Sequence, residues 1–357
     1  MGSFRFALAA MVAVYHIARS MPIELGISAV LCFYFLSGYY MAGLYQNFST
    51  HSKRPALSFY FDRCFRLLPA FWLVFLLIFC IYLIDDTKNI NLTGTSTRIH
   101  AFLEFLVLPY SFIHTFFSNA ADLNPPTWSL GVEFIFYLFV PLLALLNGRQ
   151  LKTFLLFSFL LYTFSLLFFG HLRLYDLFGG KENCISKLNV IPGLDHSCHT
   201  GIANIIYRIP IFSCVYFIFG YCWAIHLSQK EKKYSLLMLC LSFLGVFLYA
   251  VEKNFWSMYP VDEVLWAGII FIPMTCLTVE YIKGGDPLDK FLGRLSYPLF
   301  LSHMFAIYLV NLIQRYRPIE YDLFLKVFVA LIVAFMLSLF QKYLDQMRYQ
   351  LRGFRVH

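Results

Sequence analysis

The chain has 357 residues, of which 60% are hydrophobic and 13% charged, with a mean hydropathy of +0.67 and a formal net charge of +8. Soluble globular chains hold about 45–50% apolar and about 25% charged residues, so the composition excludes an ordinary soluble domain and points to a polytopic membrane protein. The basic residues are scattered over short loops, which argues against a nucleic-acid partner and suits contact with anionic membrane lipid.

A membrane-spanning helix needs about 20 mostly apolar residues. In chain order the apolar runs predict ten spans, at 5–22, 26–46, 66–84, 128–146, 152–170, 204–227, 234–251, 262–282, 296–313 and 322–341. The expected fold class is all-α, a transmembrane helix bundle. The stretch 101–118 is also apolar but carries Glu104, Pro109 and His114, and it reads as re-entrant or lying along the outer interface. The positive-inside rule tests that choice. With the N-terminus inside, 17 Lys and Arg fall on the inner side and 10 on the outer. Both termini are therefore expected in the cytoplasm, which requires an even number of spans. The N-terminal run resembles a signal peptide in having Arg5 before apolar residues, but no small-residue cleavage site follows. With no fixed-period repeat and no low-complexity linker, residues 1–357 are expected to form a single membrane domain.

The first span, "RFALAAMVAVYH", places Arg5 and His16 eleven residues apart. That is three turns plus about 20°, so both share a face, with a rise of about 16 Å between them. An arginine at the inner surface then puts the histidine near the midplane, where ionisable groups usually face a cavity and where imidazole suits proton transfer. The plainer alternative is an anchoring arginine and a structural histidine. In the second span, "CFYFLSGYYMAG", Ser37 and Gly38 read as a small pair that lets a helix or ligand approach, since no triad spacing supports a nucleophile. "FDRCFRLLPAFW" opens the third span, and its Arg63 and Arg66, three apart, share a helix face. They are suited to grip phosphates in two-pronged fashion, or simply to anchor an inner loop.

"NPPTWSLGVEFIFYLFVPLL" opens the fourth span. Thr127 or Ser129 is expected to cap it, and Trp128 to sit in the interfacial belt. Glu133 lies about 6 Å deeper on the face of Ser129 and needs a partner at that depth. Pairing with His16 is one solution, and a helix-packing partner is the other. The outer loop holds Cys184, His196, Cys198 and His199. "HSCH" is too tight for the usual paired zinc spacing, so no metal is expected. A Cys184–Cys198 disulfide suits an oxidising outer compartment. The other seven cysteines read as small hydrophobes. In "GRLSYPLFLSHM", which opens the ninth span, Ser296 and His303 are nearly on one face, with Pro298 in the first turn. His303 either lines a donor site or only packs.

"FLSG", "DRCFRLLP", "TWSLGVEFIFY" and "LSYPLFLSH" follow the Arg5–His16 pair in order along nearly the whole chain. In this the sequence resembles the acyltransferase-3 family of integral membrane O-acyltransferases. The resemblance implies about ten helices, set in a bacterial inner membrane, that move an acyl group, usually acetyl, from cytoplasmic acetyl-CoA. The acceptor it implies is a hydroxyl of an extracytoplasmic glycan or lipid-linked glycan, such as lipopolysaccharide O-antigen. Matched to the family's motifs, Arg5, Arg63 and Arg66 are expected to bind acetyl-CoA, with Ser296 and His303 lining the donor site. His16 is expected to act as general base with Glu133 assisting it, while Trp128, Ser129 and Ser37 face the acceptor. A covalent acetyl-imidazole at His16 is the rival scheme. A transporter or flippase of a lipid-linked saccharide is the alternative function, although the two-halves symmetry of many transporters is not visible. A structural or sensory role would leave Glu133, His16 and His303 without a purpose.

Overall fold

The computed structural model describes residues 1–18, 25–84, 95–107, 123–171, 208–252, 267–282, 285–317 and 322–352. Every regular element among them is helical: α1 (Gly2–Ile17), α2 (Leu25–His51), α3 (Pro55–Ile84), α4 (Thr95–Leu106), α5 (Thr127–Leu143), α6 (Gly148–His171), α7 (Pro210–Ile225), α8 (Gln229–Glu252), a π-helical turn (Ala267–Phe271) continuing into α9 (Ile272–Tyr281), α10 (Pro287–Tyr316) and α11 (Asp322–Arg352). Lipid offers no hydrogen-bond partner, so an apolar chain satisfies its backbone internally as helix. Among the described residues four helices, α2, α3, α10 and α11, are long and apolar enough to cross a membrane by length and composition. The shorter apolar helices are α1, α5, α7 and the π–α9 unit.

The ten predicted spans each coincide with one of these elements, α4 being the addition. Several run longer than hydropathy alone suggests. α3 starts at Pro55, so Arg63 and Arg66 lie inside the helix rather than at its mouth. α10 starts at Pro287, which puts Pro298 in the helix interior and corrects its expected first-turn position. α11 continues past the apolar window to Arg352. α4, 12 residues long from Thr95 to Leu106 with a rise of about 18 Å, covers only residues 101–106 of the 101–118 stretch. It docks by Trp72, whose Nε1 donates to the Phe105 carbonyl at 3.1 Å. The proposed Cys184–Cys198 pair lies outside the described residues.

Contacts along the bundle fix the direction of three helices. Gly2 of α1 meets Asp289 and Gly293 of α10, Ser296 Oγ donates to the Arg5 carbonyl at 2.9 Å, and His16 stacks on His303. α1 and α10 therefore run parallel. Tyr297 donates to the Leu67 carbonyl at 2.8 Å and Tyr82 contacts Tyr308, so α3 runs the same way. First, third and ninth spans must be parallel if 101–118 does not cross.

Apolar burial alone gives helices little reason to associate in lipid, and close backbone packing takes its place. α2 and α7 make the most extensive helix pair. A Cβ at Gly38 would sit 1.9 Å from the Phe217 carbonyl oxygen, and one at Gly220 would sit 1.9 Å from that of Phe35. The two glycines thus let the backbones touch reciprocally. Buried Ser158, Ser165, Ser213, Thr275 and Thr278 donate back to carbonyls three or four residues earlier in their own helices, which removes the cost of a hydroxyl in an apolar interior. Outward faces carry large apolar side chains, among them Leu156, Phe157 and Leu160 of α6 and Phe324, Phe328 and Met336 of α11, a surface suited to lipid.

Gly38→Ala and Gly220→Ala are each expected to cost about 1–3 kcal/mol by forcing the α2–α7 backbones apart. Thermal unfolding of the purified protein in detergent checks this. Gly43→Ala, on the same helix with nothing within 4 Å of the added carbon, is the control and should leave the midpoint within a degree or two.

Candidate functional site

A cavity of about 600 Å³ opens between α1, α2, α3, α5, α7, α10 and α11. Six of the residues singled out by sequence line it: Arg5, Ser37, Arg63, Arg66, Ser129 and Glu133. Ser296 is a seventh. Trp128, His16 and His303 are not on its wall.

One part of the wall is a carboxylate and two hydroxyls. Ser129, Glu133 and Tyr137 recur at four-residue intervals on α5, so one stripe of the helix faces the cavity. Ser37 Oγ donates to Glu133 Oε1 at 2.6 Å and lies 3.1 Å from the Tyr137 hydroxyl. Tyr137 hydrogen-bonds the same carboxylate oxygen. These groups give Glu133 partners on α2 and α5. Ser37 follows directly from the α2–α7 crossing, because it precedes the glycine that sets that contact.

α5 itself is set by a residue from α4. Glu104, 1% exposed, accepts hydrogen bonds from the backbone N–H groups of Leu123 (3.0 Å) and Asn124 (2.7 Å) and from Thr127 Oγ1 (3.1 Å). The two N–H groups belong to the turn that precedes α5, so the carboxylate fixes that turn, and its charge also lies near the positive end of the α5 dipole. The expected capping by Thr127 or Ser129 does not occur. Their hydroxyls donate to the carbonyls of Asn124 and Pro126, and the cap position, Pro126, makes no side-chain cap bond.

The other part of the wall is arginine-rich. Arg5 places its guanidinium over the Tyr40 ring, 5.7 Å from the centroid, and acts electrostatically on Arg66, Glu133 and Tyr137. Asp62, 1% exposed, pairs with Arg63, whose Nε donates at 3.0 Å. Asp345 accepts two bonds from Arg66 Nη1 at 2.9 and 3.1 Å. Between the two carboxylates lies Arg348, with Nη2 3.0 Å from Asp345 and Nε 3.4 Å from Asp62. Arg348 also lines the cavity.

The histidines form a separate pair. His16 and His303 stack with ring centroids 5.2 Å apart and planes 24° from parallel. His303 is fully buried, and its Nδ1 lies 3.3 Å from the Leu299 carbonyl. On α10 the cavity wall ends at Phe300, whose ring centroid is 6.2 Å from that of His303. Phe33 of α2, also on the wall, meets the Phe300 ring edge-on. Trp128 lies under the Arg208 guanidinium at 5.0 Å. Among the described residues no group of three His, Cys, Asp or Glu is placed to hold a metal ion.

Comparison with known proteins decides the family. The family described as an acyltransferase domain, acyltransferase-3, matches residues 3–340. The chain belongs to this family. It is a membrane acyltransferase, which chooses the enzyme over the transporter reading. An uncharacterized protein of Aquifex aeolicus (strain VF5) is 23% identical to the acyltransferase over 232 residues, covering 64% of this chain and 90% of that protein. No solved structure matches it.

Sequence reasoning missed Asp62, Tyr137, Phe300, Asp345 and Arg348. A signal existed for two of them: Tyr137 is one turn beyond Glu133, and Asp62 precedes Arg63 directly. Asp345 and Arg348 were out of reach because the apolar window ends before them.

Glu104→Gln replaces one acceptor oxygen by an amide that faces a backbone N–H. The expected cost is about 1–3 kcal/mol for the donor left unpaired, read as a lower unfolding midpoint. Acyl transfer should fall along with it, because the start of α5 carries Ser129 and Glu133.

Proposed function

We propose that the acyltransferase moves an acetyl group from cytoplasmic acetyl-CoA to a hydroxyl of an extracytoplasmic glycan, such as lipopolysaccharide O-antigen, across the bacterial inner membrane. The observation that carries the reading is the pairing, within one cavity, of an arginine-rich wall and a carboxylate–hydroxyl wall. The arginines fit a phosphorylated donor: guanidinium groups present planar donor pairs that match phosphate oxygens. Arg348 Nη1 is buried there without a hydrogen-bond partner among the described residues. Both termini would then be cytoplasmic, in line with the inner-side excess of Lys and Arg, and the whole chain would form one membrane domain.

Bound acetyl-CoA supplies an activated thioester; transfer breaks its C–S bond and forms the O–C bond of the acetylated acceptor. Arg5, Arg63 and Arg66 hold the donor phosphates, and Ser296 borders that site through its bond to the Arg5 carbonyl. His16, with His303 packed against its ring, takes the acceptor hydroxyl proton and returns it to the departing thiolate, so coenzyme A leaves as the free thiol. The acceptor approaches from the side of Trp128 and Ser129, and Ser37 lies on its path. Glu133 is the second candidate base, favoured by its place on the cavity wall.

His16→Ala should leave folded protein that still binds coenzyme A, with glycan acetylation reduced at least about 100-fold, the range for a lost general base. Acetyl transfer from radiolabelled acetyl-CoA in membranes measures this. Activity within tenfold of wild type removes His16 from the proton step, and the same loss in Glu133→Gln alone moves the role to the carboxylate. Phe300→Trp should slow transfer while leaving coenzyme A affinity within threefold, because that ring borders both the cavity and His303.

A further inference from the structure

We propose that Arg348, on the last helix, is a donor-binding residue that completes a three-arginine phosphate site with Arg63 and Arg66. The proposal rests on the donor reading given above and names which group of that donor the residue takes. Arg348 is only 4% exposed, deep burial for a permanent cation. Burying a charge is costly unless it is paired and its donors are filled. The pairing is incomplete. Among the described residues Asp62 and Asp345 are shared by three guanidinium groups, so these ion pairs set two carboxylates against three cations. Like-charge repulsion from Arg66 and Arg63 adds to the cost. The donor count shows the same deficit: Nη2 reaches Asp345 at 3.0 Å, whereas Nη1 has no hydrogen-bond partner among the described residues.

An anion entering the cavity that Arg348 lines would supply both the missing charge and the missing acceptor. A phosphate group carries about 1.5–2 negative charges and three acceptor oxygens, enough to meet the excess. The two carboxylates meanwhile hold the guanidinium groups apart and oriented before the ligand arrives, so little side-chain freedom is lost on binding. Arg348 reaches this position only because α11 continues beyond its apolar stretch and returns to the start of α3.

The test is calorimetric titration of the purified full-length acyltransferase in lipid nanodiscs with coenzyme A and with pantetheine, which lacks the phosphates. Wild type should bind coenzyme A much more tightly than pantetheine. Arg348→Gln should weaken coenzyme A binding about 100-fold and leave pantetheine within twofold. Arg348→Lys, which keeps the charge but loses the two-pronged geometry, should weaken coenzyme A about tenfold, and it carries the same comparison if the glutamine variant does not fold. Coenzyme A affinity unchanged in both variants overturns the role of Arg348 and leaves the donor reading standing. Equal losses for coenzyme A and pantetheine overturn it too, because they indicate general support of the cavity. Equal affinity of wild type for the two ligands overturns the donor reading itself, and this proposal with it.

Discussion

The backbone contact between α2 and α7 that Gly38 and Gly220 permit is the constraint on which the rest of the site depends. Lipid removes the hydrophobic drive that holds helices together in water, so α2 and α7 are joined by approach close enough for main chains to touch. That contact fixes the rotation of α2 about its own axis. Rotation in turn decides that Ser37, the neighbouring residue, meets Glu133 at 2.6 Å and that Tyr40 lies beneath Arg5. A larger side chain at either glycine would turn or displace α2 and scatter groups that belong to three helices.

The charged groups obey a second constraint. In a low-dielectric interior each charge needs a partner nearby, and the strength of that need makes such clusters rigid. Asp62 and Asp345 therefore do more than neutralise. They tie α3 to α11 and set the orientation of Arg63, Arg66 and Arg348. Glu104 plays the same part for α5, where the partners are backbone N–H groups rather than arginines. The carboxylates of these clusters are explained by what they hold in place.

Much of the architecture was legible because membrane helices are written in length and hydropathy. The ten apolar runs match ten elements, and Arg5, Ser37, Arg63, Arg66, Ser129, Glu133 and Ser296 converge on one cavity, although they come from five helices. What stayed hidden follows from the same rule. Hydropathy sees where a helix enters lipid and not where it ends, so α3, α10 and α11 extend past their predicted limits. Pro298 was misplaced and Arg348 fell beyond the last predicted span for that reason. The partners of Glu133 were hidden because they depend on how α2 and α5 rotate against each other, which no single-helix pattern records. Glu104 was seen as an obstacle to spanning, and the structure makes it an anchor for the turn before α5.

The separation between the cavity and the histidine pair gives the site its internal order. Arg5 and His16 share a face of α1, as eleven residues of helix require, but they address different surroundings: Arg5 the cavity, and His16 the ring of His303. Phe300 stands where the two meet, lining the cavity with its ring centroid 6.2 Å from that of His303. A donor held by its phosphates at the arginines has to extend along α1 toward Phe300 for its acyl end to meet an imidazole. The fixed rise between Arg5 and His16, about 16 Å, thereby sets the reach that the arm between phosphate and acyl group must have. A short acyl phosphate gripped at the same arginines would fall short of His16, whereas a carrier with a long flexible arm would not. On the proposed assignment the helix would act as a ruler on the donor, and the choice of donor class would depend on the spacing of two residues as much as on the charge of either.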